Sequence, residues 1–385
     1  MKDFIFHSPT KIIFGRGRNR EIGRELAKDG ISRVLMVYGM GSIKRNGVYD
    51  EVTGSLKESG IEFRELSGIK PNPVLSKVYE GIKMGKEMDA QAVLGVGGGS
   101  VIDSAKAIAA GIPYDGDVWD FYSGKNPEKS LPIYAILTIS ATGSEMNGNS
   151  VITKEETMEK RGMHGGVIST PRVSIIDPSV QFSLPKEQTV YGAIDAITHV
   201  AEFYFNGSKE LNFPDRLCES LIRTIMDSVD TLLKNPEDYD ARAELAWSAT
   251  MALNGMTAVG RGRGDWASHQ IEHALSALYD IAHGAGLAIV LPAWLEYTMD
   301  VNEDKIIQLG ERVFGVKERA PKVIEMLRET YRKWGAPVYL SDAGIPASDI
   351  EKIAENKSIR YPTGYAKKLY KEDVVEILRI ASGER

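Results

Sequence analysis

The hydrophobic pattern of the chain changes near residue 180, and that change constrains the fold more than any other feature. Before it, Arg33-Val34-Leu35-Met36-Val37-Tyr38, Gln91-Ala92-Val93-Leu94-Gly95-Val96 and Ile133-Tyr134-Ala135-Ile136-Leu137-Thr138 read as buried strands. Amphipathic stretches over 49–59 and 75–88 separate the first two, and Val173-Ser174-Ile175-Ile176-Asp177-Pro178 reads as a last strand stopped by proline. Alternating β and α elements imply a mostly parallel sheet with helices on both faces. From Pro185 onward the periodicity is helical nearly throughout, over 186–205, 217–233, 241–259, 266–279 and 286–299, with Pro321, Pro337 and Pro346 as later punctuation. The expectation is an α/β, Rossmann-like N-terminal domain over 1–182 and an all-α C-terminal domain over 183–385.

Composition then removes several function classes. A chain of 385 residues fits two to three domains, at roughly 100–200 residues each. Its net charge of -6, with no Lys/Arg stripe, leaves no footprint for a nucleic-acid partner. Cys218 is the only cysteine, so neither an intramolecular disulfide nor a cysteine-built zinc site is available. The start, Met1-Lys2-Asp3-Phe4-Ile5-Phe6-His7, lacks the apolar core of a signal peptide. No apolar run approaches the ~18 residues of a membrane helix. A cytoplasmic protein without a membrane partner is expected.

Two residue clusters carry chemistry. Gly95-Val96-Gly97-Gly98-Gly99-Ser100-Val101-Ile102-Asp103 follows a predicted strand and opens a helix over 101–110. Glycines let the main chain approach a ligand closely, and the free N–H groups at a helix start favour an anion such as a pyrophosphate. Ser100 occupies the third glycine position of a G-x-G-x-x-G fingerprint, so the match is incomplete, and a tight turn without ligand would also explain the glycines. A second turn, Tyr38-Gly39-Met40-Gly41-Ser42, carries no acid for ribose hydroxyls, while Ser42, Lys44 and Arg45 suit a 2′-phosphate. That pattern favours NADP(H), with NAD(H) also admissible.

The second cluster is ionisable. Four of the six histidines lie in Asp195-Ala196-Ile197-Thr198-His199 and in His269-Gln270-Ile271-Glu272-His273 with Ala282-His283-Gly284. Residues four apart share one helix face, so Asp195 and His199 can reach one ion, as can His269 and His273. Such a pair is as readily a simple helix contact. Two pairs and His283 in otherwise apolar helices point instead to a divalent ion, because isolated ionisable groups there are costly. Three imidazoles and a carboxylate suit Fe²⁺, Zn²⁺, Co²⁺ or Mn²⁺ in a Lewis-acid role.

With these residues in place, the chain resembles the iron-containing (group III) alcohol dehydrogenases, in the branch of butanol dehydrogenases and NADPH-dependent aldehyde reductases. The resemblance runs through Ser8-Pro9-Thr10-Lys11-Ile12-Ile13-Phe14-Gly15, Lys70-Pro71-Asn72-Pro73, Gly97 onward to Lys106, Thr138-Ile139-Ser140-Ala141-Thr142-Gly143-Ser144-Glu145, and the histidine runs; it fades beyond about residue 340. It implies the architecture shared with dehydroquinate synthase and a metal, Fe²⁺ or Zn²⁺, held by Asp195, His199, His269 and His283. It sets His273 apart as a proton carrier near the reacting groups. Cofactor contacts are implied at Gly39, Gly41, Ser42, Lys44, Asn72, Gly97, Gly98, Gly99, Ser100, Asp103, Thr138, Thr142 and Lys160. The implied reaction is hydride transfer between NADP(H) and a small aliphatic alcohol or aldehyde such as butanol or butyraldehyde, in a homodimer. Rival readings are a glycerol-type polyol dehydrogenase, a dehydroquinate synthase-like lyase using Arg261 and Arg263 for a substrate phosphate, and a nucleotide-binding sensor.

Overall fold

A computed structural model describes residues 1–383. Six strands form a parallel sheet in the order β1-β8-β5-β4-β2-β3: β1 (Lys11–Phe14), β2 (Arg33–Tyr38), β3 (Glu62–Leu66), β4 (Ala92–Gly97), β5 (Ile133–Leu137) and β8 (Val173–Ile176). The four inner strands are buried along nearly their whole length, which is why each reads as an unbroken apolar run. Helices α1 (Ile22–Lys28), α2 (Ser42–Arg45), α3 (Val48–Glu58), α4 (Leu75–Glu87) and α5 (Gly99–Gly111) supply the connections. Separate apolar clusters lie on the two faces of the sheet, one with Leu35, Val93 and Ile108, the other with Met36, Leu94 and Val52.

The edge strands and a hairpin are absent from the sequence reading. β1 and β3 are half exposed and carry charges, as in Glu62-Phe63-Arg64-Glu65-Leu66, so their apolar signal is weak. Between β5 and β8 the chain makes an antiparallel hairpin, β6 (Asn149–Lys154) and β7 (Glu159–His164), whose polar residues hide it.

From Lys186 the chain is helical: α6 (Lys186–Tyr204), α7 (Asn212–Leu232), α8 (Tyr239–Ala252), α9 (Ala267–Tyr279), α10 (His283–Tyr297), α11 (Met299–Leu309), α12 (Ala320–Trp334), α13 (Ile350–Ala354) and α14 (Lys371–Ser382). They share one large apolar core. Three helix bounds differ from expectation. α7 starts five residues earlier than the apolar pattern, at Asn212, because its first turn carries Pro214 and an outward-facing Phe213, which interrupt the helical periodicity. α8 ends at Ala252, short of residue 259, because Gly255 takes φ +99, a left-handed conformation that breaks the helix. α10 begins at His283 and carries Pro292 through its interior, where apolar packing holds the helix together despite the missing N–H. No helix among the described residues is long and apolar enough to cross a membrane.

Candidate active site

The sheet places the glycine cluster. β4 ends at Gly97, and α5 begins at Gly99, so its first N–H groups open at the C-terminal edge of the strands. Side chains here would crowd their neighbours: a Cβ on Gly97 would lie 2.5 Å from Val101 Cγ2, and one on Gly99 2.5 Å from Thr142 Cγ2. Thr138 donates its N–H to the Gly97 carbonyl at 3.0 Å, so Thr138 and Thr142 flank the loop. Asp103, on α5 one turn after Ser100, is buried and accepts from Ser144 Oγ at 2.5 Å and the Val151 N–H at 2.8 Å. It thereby ties α5 to the segment after β5 and to the hairpin. Buried Lys106 reinforces the tie, donating to Ser144 Oγ and the Asn149 carbonyl, each at 2.7 Å. The turn Gly39 to Ser42 lies one strand away, at the end of β2, with Gly41 at φ +105 ahead of α2 and Lys44 within it.

The second cluster assembles from three helices. α6 supplies Asp195 and His199, α9 supplies His269, and the first residue of α10 is His283. Asp195 Oδ1 lies 3.3 Å from His199 Nδ1, 3.6 Å from His283 Nε2 and 3.8 Å from His269 Nε2. Asp195 Oδ1, His199 Nδ1 and His269 Nε2 are buried and find no hydrogen-bond partner. Buried polar atoms without partners are costly, and a shared cation satisfies all three at once. The donor set therefore fits a divalent ion.

Electrostatics agree with the geometry. Burial pushes the Asp195 carboxyl up, but His199, His283 and His269 outweigh it and bring it down to about 2. Burial brings His199 down to about 4 and also pushes His283 well below the usual imidazole range, leaving both neutral as ligands must be. Burial opposes protonation of His269 as well, yet Asp195 and Glu202 prevail and lift it to about 9. The cage favours a positive charge at its centre.

Two glutamates that the sequence reading passed over complete the cage. His269 Nδ1 meets Glu202 Oε1 at 2.6 Å, and His283 Nδ1 meets Glu272 Oε2. A carboxylate on the far ring nitrogen fixes the tautomer and turns the other nitrogen toward an ion. The signal was available: Glu202 and Glu272 each follow a ligand candidate by three residues on the same helix. Glu202 also accepts the Trp266 N–H at 2.5 Å, anchoring the start of α9. Glu202→Gln is expected to weaken metal affinity by about 10–100-fold, measured by competition with a chelator. An unchanged affinity would remove Glu202 from this account.

Asn72 and Lys160 stand with the histidines, not with the glycine loop. Lys160 Nζ is 2.9 Å from Asn72 Oδ1 and 3.5 Å from both Glu272 Oε2 and His283 Nδ1. Asn72 in turn donates to Asp280 Oδ1 at 3.0 Å and the Ile281 carbonyl at 3.1 Å. Glu272, His273 and His283 are close enough to hold a cation, but the Lys160 ammonium already serves Glu272. His273 is half-buried, with its ring 5.6 Å from that of His283, and burial holds it well below its ordinary range.

A cleft of about 780 Å³ opens beside the cluster, walled by Met146, Asn147, Phe203, Leu253, Arg263 and Trp266 among others. The Trp266 ring stands edge-on to His269 at 5.3 Å, so it separates cleft from cage. Arg261 turns the other way: it is fully buried, with Nη2 2.5 Å from Asp215 Oδ1.

Residues 9–178 match the family model described as iron-containing alcohol dehydrogenase, and residues 189–382 match the C-terminal model of the Fe-containing alcohol dehydrogenase family. A probable NADH-dependent butanol dehydrogenase 1 of Bacillus subtilis is 44% identical, over 98% of this chain and 99% of the relative. The NADPH-dependent aldehyde reductase YqhD of Escherichia coli is 36% identical, over 92% of each. The crystal structure of NADH-dependent butanol dehydrogenase A from Thermotoga maritima superposes with a TM-score of 0.96 at 55% identity, covering 99% of both chains.

Proposed function

The chain belongs to the iron-containing alcohol dehydrogenase family, and from that premise we propose that it transfers hydride between NADP(H) and a small aliphatic alcohol or aldehyde such as butanol or butyraldehyde. NAD(H) is admitted as an alternative cofactor, since relatives of both kinds are named. One divalent ion, Fe²⁺ or Zn²⁺, is held by Asp195, His199, His269 and His283. The observation that carries this reading is the carboxylate oxygen of Asp195 facing three imidazole nitrogens at 3.3 to 3.8 Å.

Each part of the chain then has a task. The ion, when bound, supplies Lewis acidity toward an alcohol or carbonyl oxygen. Gly97, Gly98, Gly99 and Ser100 receive the pyrophosphate at the start of α5. Thr138 and Thr142 hold the nicotinamide half beside them, and Asp103 keeps that segment in place. Lys160 and Asn72 meet the cofactor from the metal side. Water or His273, at a ring nitrogen, takes the proton of the alcohol and returns it in the reverse direction. Trp266 stands between the cage and the neighbouring cleft, which it lines with Phe203. The proposed division is a nucleotide domain over 1–182 and a metal domain over 183–385, in a cytoplasmic homodimer.

Burial of Arg261 against Asp215 removes half of the phosphate site that a dehydroquinate synthase-like lyase would need. A nucleotide-binding sensor would not require the unpartnered ligand atoms of the cage. The test is loss of nicotinamide absorbance with butyraldehyde, run with NADPH and with NADH. It is repeated after chelation and after restoring Fe²⁺ or Zn²⁺. Turnover that vanishes and returns is the expected result; metal-replete protein that oxidises neither cofactor overturns the reading.

A further inference from the structure

We propose that Glu65 sets how the chain discriminates between the two nicotinamide dinucleotides, by keeping Lys44 on the rings of Tyr38 and Tyr49 and a negative charge beside the turn from Gly39 to Ser42. The proposal rests on the dinucleotide reading above and deepens it.

Topology places the cofactor's two ends. From β2 the chain moves outward to β3, whereas from β4 it moves the opposite way to β5. The switch point therefore lies between β2 and β4, where open α/β sheets bind ligands at the carboxyl ends of their strands. The pyrophosphate falls to the start of α5. The segment after β5 leads toward the histidine cage, since Ser140 O lies against Gly192 of α6. The nicotinamide end thus points past β5, and the adenosine end is left to the turn after β2 and its neighbour β3.

That turn carries no carboxylate of its own, but β3 brings one next to it. The Tyr38 hydroxyl donates to Glu65 Oε2 at 2.8 Å, and the Tyr49 hydroxyl donates to Glu65 Oε1 at 2.7 Å. Both carboxylate oxygens are thereby committed to phenols from β2 and α3. The two rings stand edge to face at 6.1 Å. Lys44 Nζ rests over them, 4.6 Å from the Tyr49 centroid and 5.3 Å from that of Tyr38. The hydrogen bond to Glu65 also pushes the Tyr49 phenol up to about 12, so that phenol stays neutral.

Two consequences follow for a 2′-phosphate. Lys44, the first basic side chain after the turn, must leave the ring faces and the attraction of Glu65 to reach it. The Glu65 charge also repels the phosphate, whereas the 2′-hydroxyl of the other cofactor meets neither effect. The wild-type chain accordingly accepts both dinucleotides, and taking away the Glu65 charge turns it toward NADPH.

Glu65→Gln and Lys44→Ala test this in the full-length, metal-replete protein. For each variant the NADPH to NADH ratio is measured in kcat/KM and, independently of turnover, in Kd from cofactor fluorescence. Glu65→Gln should raise both ratios by roughly fivefold, the scale of a partly screened surface charge. Lys44→Ala should lower them, and because Lys44 is exposed this variant carries the test should Glu65→Gln fail to fold. Ratios that stay within a factor of two of wild type, or move the other way, overturn the role of Glu65. Wild-type protein that binds neither cofactor overturns the dinucleotide reading instead.

Discussion

His269→Ala is expected to strip the chain of its ion and lower kcat/KM for butyraldehyde by at least about 10³-fold. A Lewis acid at a reacting oxygen is worth several kcal/mol, and each 1.36 kcal/mol is about tenfold in rate. The variant removes more than one donor. Nε2 faces Asp195, while Nδ1 holds Glu202, which is itself buried and anchors the N–H of Trp266. Truncation leaves that carboxylate without its imidazole, so stability should fall as well, by about 1–3 kcal/mol. Metal analysis, turnover and thermal unfolding on one preparation separate the three effects. A variant that keeps its metal and its turnover would show that the cage is not the reacting centre.

The cage was legible in the sequence because helix geometry acts over short separations. A spacing of four puts Asp195 and His199 on one face whatever the rest of the chain does. Its convergence with His269 and His283 was not legible from spacing, since it depends on how α6, α9 and α10 pack; there the family resemblance supplied the grouping. Glu202 and Glu272 were visible as residues and invisible as partners, because a glutamate one turn from a histidine is ordinary on a solvated helix face. Only their burial against His269 and His283 gives them a role. Lys160 and Asn72 show the reverse. Nothing in their local sequence places them beside the cage, yet the fold brings them against Glu272 and His283 through the β6–β7 hairpin and the loop before α4.

The same logic divides the fold. β2, β4, β5 and β8 are buried on both faces, so their apolar runs announce them. β1 and β3 sit at the sheet edges, where charge is tolerated and alternation is blurred. Glu65 belongs to that blurred edge. Its bonds to Tyr38 and Tyr49 are between strands and helices distant in sequence, and no local pattern marks them.

Gly192→Ala is expected to cost about 10²-fold in kcat while leaving metal content and cofactor binding close to wild type. The segment after β5 is pressed between two glycines. On one side Thr142 fills the space a side chain on Gly99 would need, and on the other the Ser140 carbonyl lies 2.3 Å from where a Cβ on Gly192 would stand. Gly99 opens α5, and Gly192 lies three residues before Asp195 on α6. The missing side chains therefore set how closely α5 and α6 approach, and with them the gap across which hydride would pass in the proposed reaction. Thr142 can rotate away from an added methyl at residue 99, but a backbone carbonyl cannot yield at residue 192 without moving α6 or the segment itself. Overpacking of this kind costs about 1–3 kcal/mol in stability. A displacement of about 1 Å between reacting groups is enough for a 10²-fold loss in rate even when both ligands still bind. Turnover at saturating cofactor and aldehyde, set beside metal analysis and cofactor Kd, checks this. If kcat holds while stability falls, the glycine serves packing alone and the spacing between the two half-sites is set elsewhere.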